Sequence, residues 1–174
     1  PKDSPITSVD QLKGKKIAAT KGTDPYFFLL RSLNAVGLSA TDVEIINLQH
    51  ADGKAALERG DVDAWAGLDP FMAQTEIESG STLLYRNIDF NSYGFLNARQ
   101  DFIEKYPEAV TRVLTQYERA RVWIQENPDE AAQILADEAK LSLDVAKKEL
   151  VERTVLTESP VPGAVQTSVL TEII

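Results

Sequence analysis

In the first 88 residues, short apolar runs alternate with segments whose apolar positions recur every three to four residues. Residues 16–20, 43–48, 62–66 and 82–85 read as buried strands: short, rich in Ile, Val, Leu and Ala, and bounded by turn-forming or charged residues. The segments between them carry helix starts and stops. Ser8 and Gln11 have the spacing of a capping box and open a short helix that stops at Gly14. Asp24-Pro25 reads as an N-cap followed by proline at the first helical position, and that helix runs through Leu33 to a terminal Gly37. Asp52 is placed to cap a second helix that ends at Gly60. Asp69-Pro70 repeats the Asp-Pro start for a third that ends at Gly80. Strands alternating with helices over such short connections predict βαβ units and a parallel-rich sheet, an α/β fold.

The second half changes character. After a strand-like stretch at residues 93–97, helices dominate. Phe102, Ile103 and Tyr106 share a short one. Pro107 opens a long one, with Val110, Val113, Leu114, Tyr117, Ala120 and Ile124 spaced for a wide apolar face. Asn127-Pro128-Asp129-Glu130 is another start signal, Ser142 caps a helix through Leu150, and Pro160, Pro162 and Gly163 mark a turn before the tail. The expected organisation is therefore an α/β lobe at residues 1–88 and a helical C-terminal segment at 89–174, whose amphipathic faces need a partner.

Composition narrows the chemistry. The chain carries 18 Lys and Arg against 27 Asp and Glu, a net charge of −9, with no basic run longer than Lys15-Lys16 or Lys147-Lys148. Nucleic-acid binding rests on clustered cations, so it is not expected. There is no Cys, which removes thiolate catalysis and thiolate metal sites. There is one His, His50, so no His cluster exists to hold a metal. No Gly-x-Ser-x-Gly context surrounds Ser4, Ser8 or Ser32, and no phosphate-loop motif is present. Neither a catalytic residue nor a metal or cofactor is expected. The longest apolar run, Tyr26 to Leu30, is far short of the ~20 residues of a membrane span.

In an open parallel sheet, ligands bind beyond the C-terminal ends of the strands. Three strand-to-helix loops qualify: residues 21–25, 49–53 and 67–71. Helix N-termini present free backbone N–H groups and partial positive charge, which suits an anionic ligand. Gly22 allows close approach and Thr23 adds a hydroxyl donor; the same loop also reads as an ordinary βα connection. Asp24, Asp52 and Asp69 each read as a helix cap, or as a carboxylate facing an ammonium or hydroxyl of a ligand. Asp61 and Asp63 fall on one strand face, either as an acid–base pair or as a turn residue beside a surface partner. Trp65 reads as core or as a cleft wall, and His50 as a ligand contact or an exposed loop residue.

The run at residues 4–33 (SPITSVDQLKGKKIAATKGTDPYFFLLRSL), then GL at 37–38 and DVEIINLQHADGKAALERGDVDAWAGLDPF at 42–71, resembles the substrate-binding proteins of aliphatic-sulfonate ABC importers, within the wider group that binds taurine, nitrate, bicarbonate or thiamine-precursor ligands. The stretches NSYGFLNARQDFIEKYPEAV at 91–110 and WIQENPDEAAQILA at 123–136 are similar to that family's return segment. The resemblance implies a periplasmic-binding-protein-like (type II) fold, a two-lobed clamp with a ligand in the interlobe cleft. Residues 1 to about 88 would be the second lobe, and the rest a crossover strand and helices that pack on a first lobe. It further implies a periplasmic location, a small anionic or zwitterionic ligand such as a sulfonate or taurine, and an ABC permease as membrane partner.

Carried over by position, ligand contacts fall at Gly22, Thr23, Asp24, Asp52, Leu68 and Asp69. Many relatives have small hydroxyl residues in place of Asp24-Pro25 and an aromatic in place of Leu68; an acidic residue in the pocket would suit a zwitterion. Two other readings share the fold: an enzyme of thiamine-precursor synthesis, whose chemistry leans on His residues, and the effector-sensing domain of a transcription regulator. Because half of such a clamp would be absent, the chain is expected to resemble a fragment, to bind ligand weakly alone, and to favour dimerisation through its exposed packing faces.

Overall fold

The structure is a computed structural model that describes residues 1–90 and 93–173. The chain divides into two compact units, Pro1–Ser92 and Tyr93–Glu172.

The first unit is built on a three-stranded parallel sheet of order β2-β1-β3, with β1 (Lys16–Ala19) in the centre, β2 (Glu44–Asn47) on one side and β3 (Ala64–Trp65) on the other. Ile17 pairs with Ile45 and with Ala64, so the three strands share one register line. Each strand leads into a helix: α1 (Asp24–Ala35), α2 (His50–Arg59) and α3 (Phe71–Ser79). β1 is covered on both faces. Ile17 and Ala19 join Val9, Leu12, Leu29 and Leu33 on the α1 side, whereas Ala18 joins Ala56, Leu57 and Val62 on the α2 side. This period of two across a strand buried on both sides is why β1 reads as a continuous apolar run. Ile17 and Leu33 are at most 1% exposed, each contributing about 1.5–3 kcal/mol from burial.

Several boundaries differ from the sequence reading. Ser8 accepts no capping bond; Gln11 Oε1 instead accepts from the Thr7 amide at 2.8 Å, and residues 9–12 form a 3-10 turn rather than an α-helix. Thr23, not Asp24, is the N-cap of α1, because its extended backbone (φ −118°, ψ 166°) is the last before the helical run; Asp24 and Pro25 already lie in the first turn. Gln49 rather than Asp52 precedes α2, so Asp52 sits inside the first turn. Pro70 holds the N-cap position of α3, with Asp69 outside the helix.

Residues 82–85 form no ladder. They line, with residues 63–67, a mostly apolar cavity of about 140 Å³, and so lie near β3 without pairing with it.

The second unit is helical: α4 (Gln100–Lys105), α5 (Pro107–Glu126), α6 (Pro128–Ala139), α7 (Leu143–Lys147) and α8 (Ala164–Ile173). Its core is made of small side chains, Ala131, Ala132 and Ala136 of α6 against Val145 and Ala146 of α7. The start signals at Pro107 and Asn127-Pro128 hold, and Ser142 Oγ accepts from the Val145 amide as a cap. Residues 93–97 form no strand. The helix expected to continue through Leu150 gives way at Lys148 to a π-helical turn, Lys148–Arg153, where the wider i→i+5 ladder ends with Thr154 Oγ1 donating to the Glu149 carbonyl at 2.8 Å. No residue of α5 is buried, and Val113, Leu114 and Tyr117 are exposed.

Candidate functional site

All three strands are parallel, so the loops that follow them open at one edge of the sheet. Gly22 and Thr23 lie after the central strand. Asp52 lies in the first turn of α2 on one side; Leu68 and Asp69 lie between β3 and α3 on the other. Gly22, Asp24 and Asp52 are exposed, and Thr23, Leu68 and Asp69 are half-buried. Gly22 takes φ +78°, a left-handed conformation that turns the chain from β1 into α1 without a side chain in the way.

The loops are cross-braced. Buried Thr20, at the end of β1, donates its hydroxyl proton to the Leu48 carbonyl at 2.7 Å and lies 3.3 Å from Nδ1 of His50. The Lys21 amide donates to Asn47 Oδ1 at 3.0 Å. These bonds tie the β1–α1 loop to the β2–α2 loop. On the other side the Trp65 indole fills the space between Gly53 and Gly67, where a Cβ atom would fall 2.5 Å and 2.2 Å from the ring. That contact joins the N-terminal part of α2 to the β3–α3 loop, and it requires glycine at both positions.

The hydroxyl and carboxylate groups singled out from sequence are partly engaged. Thr23 Oγ1 donates to the Thr20 carbonyl at 2.6 Å, so it is not the open donor expected of it; its remaining lone pairs are acceptors. Asp69 Oδ1 accepts from the Ala73 amide at 3.0 Å and thus caps α3 from one residue farther upstream than expected. Pro25 carries no N–H, which removes one donor from the first turn of α1.

Asp61 and Asp63 do not form a pair. Asp61 is held by Arg59 at 2.8 Å, and Asp63 Oδ2 accepts from the Lys16 amide at 2.8 Å, where it secures the start of β1. Sequence reasoning missed Thr20 and Asn47 as braces, since neither lies in a recognisable motif; a hydroxyl directly ending a buried strand was the available signal. Among the described residues there is no group of three or more His, Asp or Glu placed to hold a metal ion, and no helix is long and apolar enough to cross a membrane.

Residues 1–131 match the family described as NMT1/THI5 like. A Bacillus subtilis (strain 168) relative, named for aliphatic sulfonate binding, is 38% identical over 158 residues, 90% of this chain and 48% of its own. The crystal structure of the periplasmic aliphatic sulphonate binding protein SsuA from Escherichia coli superposes with a TM-score of 0.86 at 31% identity, over 98% of this chain and 57% of that one. The alkanesulfonate-binding protein SsuA from Xanthomonas axonopodis pv. citri, bound to MOPS, gives a TM-score of 0.87 at 26% identity, over 99% of this chain and 60% of that one. The chain spans about half the length of the curated relatives it matches. The α/β architecture is thus that of the periplasmic-binding-protein fold, and the chain belongs to the NMT1/THI5-like family.

Proposed function

We propose that this chain is part of the solute-binding component of an ABC importer. It would act in the periplasm, hold an aliphatic sulfonate or a similar small anion at the C-terminal edge of its parallel sheet, and deliver it to a membrane permease. The observation that carries this reading is the convergence of three β–α loops at one braced edge, in a fold shared with sulfonate-binding proteins.

Gly22 and Thr23 would approach the anion most closely, from the centre of the sheet. Leu68 would contact the alkyl portion, while Asp24, Asp52 and Asp69 would border the pocket and favour a ligand that also carries an ammonium, as taurine does. Binding of this kind needs no bond making or breaking. Ligand contacts shift the population toward a closed form.

Thermal unfolding in the presence of alkanesulfonates, taurine, nitrate and bicarbonate tests the proposal. A ligand that binds only the native state at 100 times its Kd stabilises it by about 2.7 kcal/mol and raises Tm by several degrees. A shift with one sulfonate class supports the reading and names the ligand. No shift with any of these at millimolar concentration overturns it.

A further inference from the structure

We infer that His50 determines specificity at this edge: Thr20 holds its Nδ1–H, and its Nε2 donates to the bound anion when the imidazole is protonated, so that anion binding strengthens as pH falls. The inference rests on the function proposed above and adds a residue and a pH dependence to it.

Thr20 is 6% exposed, and its hydroxyl has a single proton. The shorter contact, 2.7 Å to the Leu48 carbonyl, takes that proton. The Thr20 oxygen therefore meets Nδ1 of His50, 3.3 Å away, with a lone pair, and Nδ1 must be the protonated nitrogen in the neutral ring as well as in the imidazolium. That fixes the tautomer. Nε2 lies across the ring from this contact and has no hydrogen-bond partner among the described residues. In the neutral ring Nε2 is an acceptor and repels a sulfonate oxygen; in the imidazolium it is a charged donor that attracts one.

The charged groups in the three loops and the first two turns of α2 are Lys21 and Asp24 after β1, Asp52 and Lys54 on α2, and Asp69 before α3. His50 is the chain's only histidine. Its ring signals in an NMR spectrum are therefore assigned without ambiguity.

The test is ethanesulfonate binding by calorimetry at pH 5.5 and pH 8.0, for the native chain and His50→Gln, with the His50 ring protons followed through a pH titration in the presence and absence of ethanesulfonate. The native protein should bind about tenfold more tightly at pH 5.5, and ligand should raise the ring's midpoint by about one unit. His50→Gln, whose amide keeps a neutral donor, should lose most of the pH dependence. If ethanesulfonate binds with the same pH profile in both proteins, or leaves the midpoint in place, this inference is overturned and the proposed function stands. If ethanesulfonate binds neither protein at any pH, this inference falls; the proposed function falls with it only if the other alkanesulfonates, taurine, nitrate and bicarbonate also leave Tm in place.

Discussion

Gly67 lies so close against Trp65 that a Cβ atom there would fall 2.2 Å from Cζ2 and 2.3 Å from Cη2 of the indole. The ring is rigid and Gly53 flanks it as well, so it cannot move aside cheaply. Its Nε1 is buried with no acceptor among the described residues, a cost the packing of the two segments must offset.

Gly67→Ala should therefore destabilise the chain by about 1–3 kcal/mol, the range of an overpacked site, read as a shift in the urea midpoint. In a Trp65→Leu background, which removes the opposing atoms, the same change should cost less than about 0.5 kcal/mol. An equal cost in both backgrounds would show that the indole does not brace these segments.

Asp63→Ala removes the acceptor of the Lys16 amide at the start of the central strand. Water reaches this site, so the expected loss is about 0.5–1 kcal/mol by chemical denaturation. Asp63→Asn keeps an amide oxygen in reach and should lose less. If the two variants lose the same amount, charge rather than the hydrogen bond sustains the contact.

Glu58 connects α2 to α3: it accepts from Ser79 Oγ at 2.7 Å and pairs with Lys54 at 2.9 Å. Partial desolvation pushes its carboxyl upward, but the hydrogen bonds from Ser79, Lys54 and Thr75 together outweigh it and hold the group below its ordinary value of 4.5. A depressed folded-state value means that the stabilisation is fully present above the unfolded value and is lost as pH falls through the folded one. The Tm difference between the native chain and Glu58→Gln should thus be largest near pH 6 and close as pH falls below about 4.5. A difference that stays constant down to pH 3 would rule out this linkage.

Ala132 is fully buried in the second unit, whose core sets α6 against α7. Ala132→Leu forces three more carbon atoms into that space and should cost about 1–3 kcal/mol, with loss of helical circular dichroism at lower temperature. Ala132→Gly leaves the crossing open but should cost about 1 kcal/mol from helix propensity alone. If Leu is tolerated better than Gly, the helices do not pack through this position.

Much of this architecture was legible in the residues. The apolar runs around Ile17, Ile45 and Ala64 placed all three strands, and the glycines at 37, 60 and 80 marked the helix ends. In the α/β unit the starts of α1, α2 and α3 were off by one to three residues, whereas those at Pro107, Pro128 and Ser142 were placed as read. Asp-Pro reads as cap and first turn, yet Thr23 took the cap at α1, and Asp69 caps α3 from beyond Pro70.

Residues 82–85 have strand composition, but a strand exists only where a neighbour pairs with it, which composition cannot show. The same holds for the braces of the candidate site. Gly22, Thr23, Asp52, Leu68 and Asp69 followed from strand–helix alternation. The Thr20–His50 contact joins residues 30 apart, and the Trp65–Gly53 contact depends on how β3 and α2 pack, so neither is written in any local pattern.

The chain's two tryptophans, Trp65 and Trp123, fall in different compact units. Each unit thereby carries its own intrinsic fluorophore. Trp123→Phe leaves emission from the α/β half alone, and Trp65→Phe leaves emission from the helical half. Spectra of the two variants through a single denaturant series report whether the halves melt as one cooperative body or as two, without any added label.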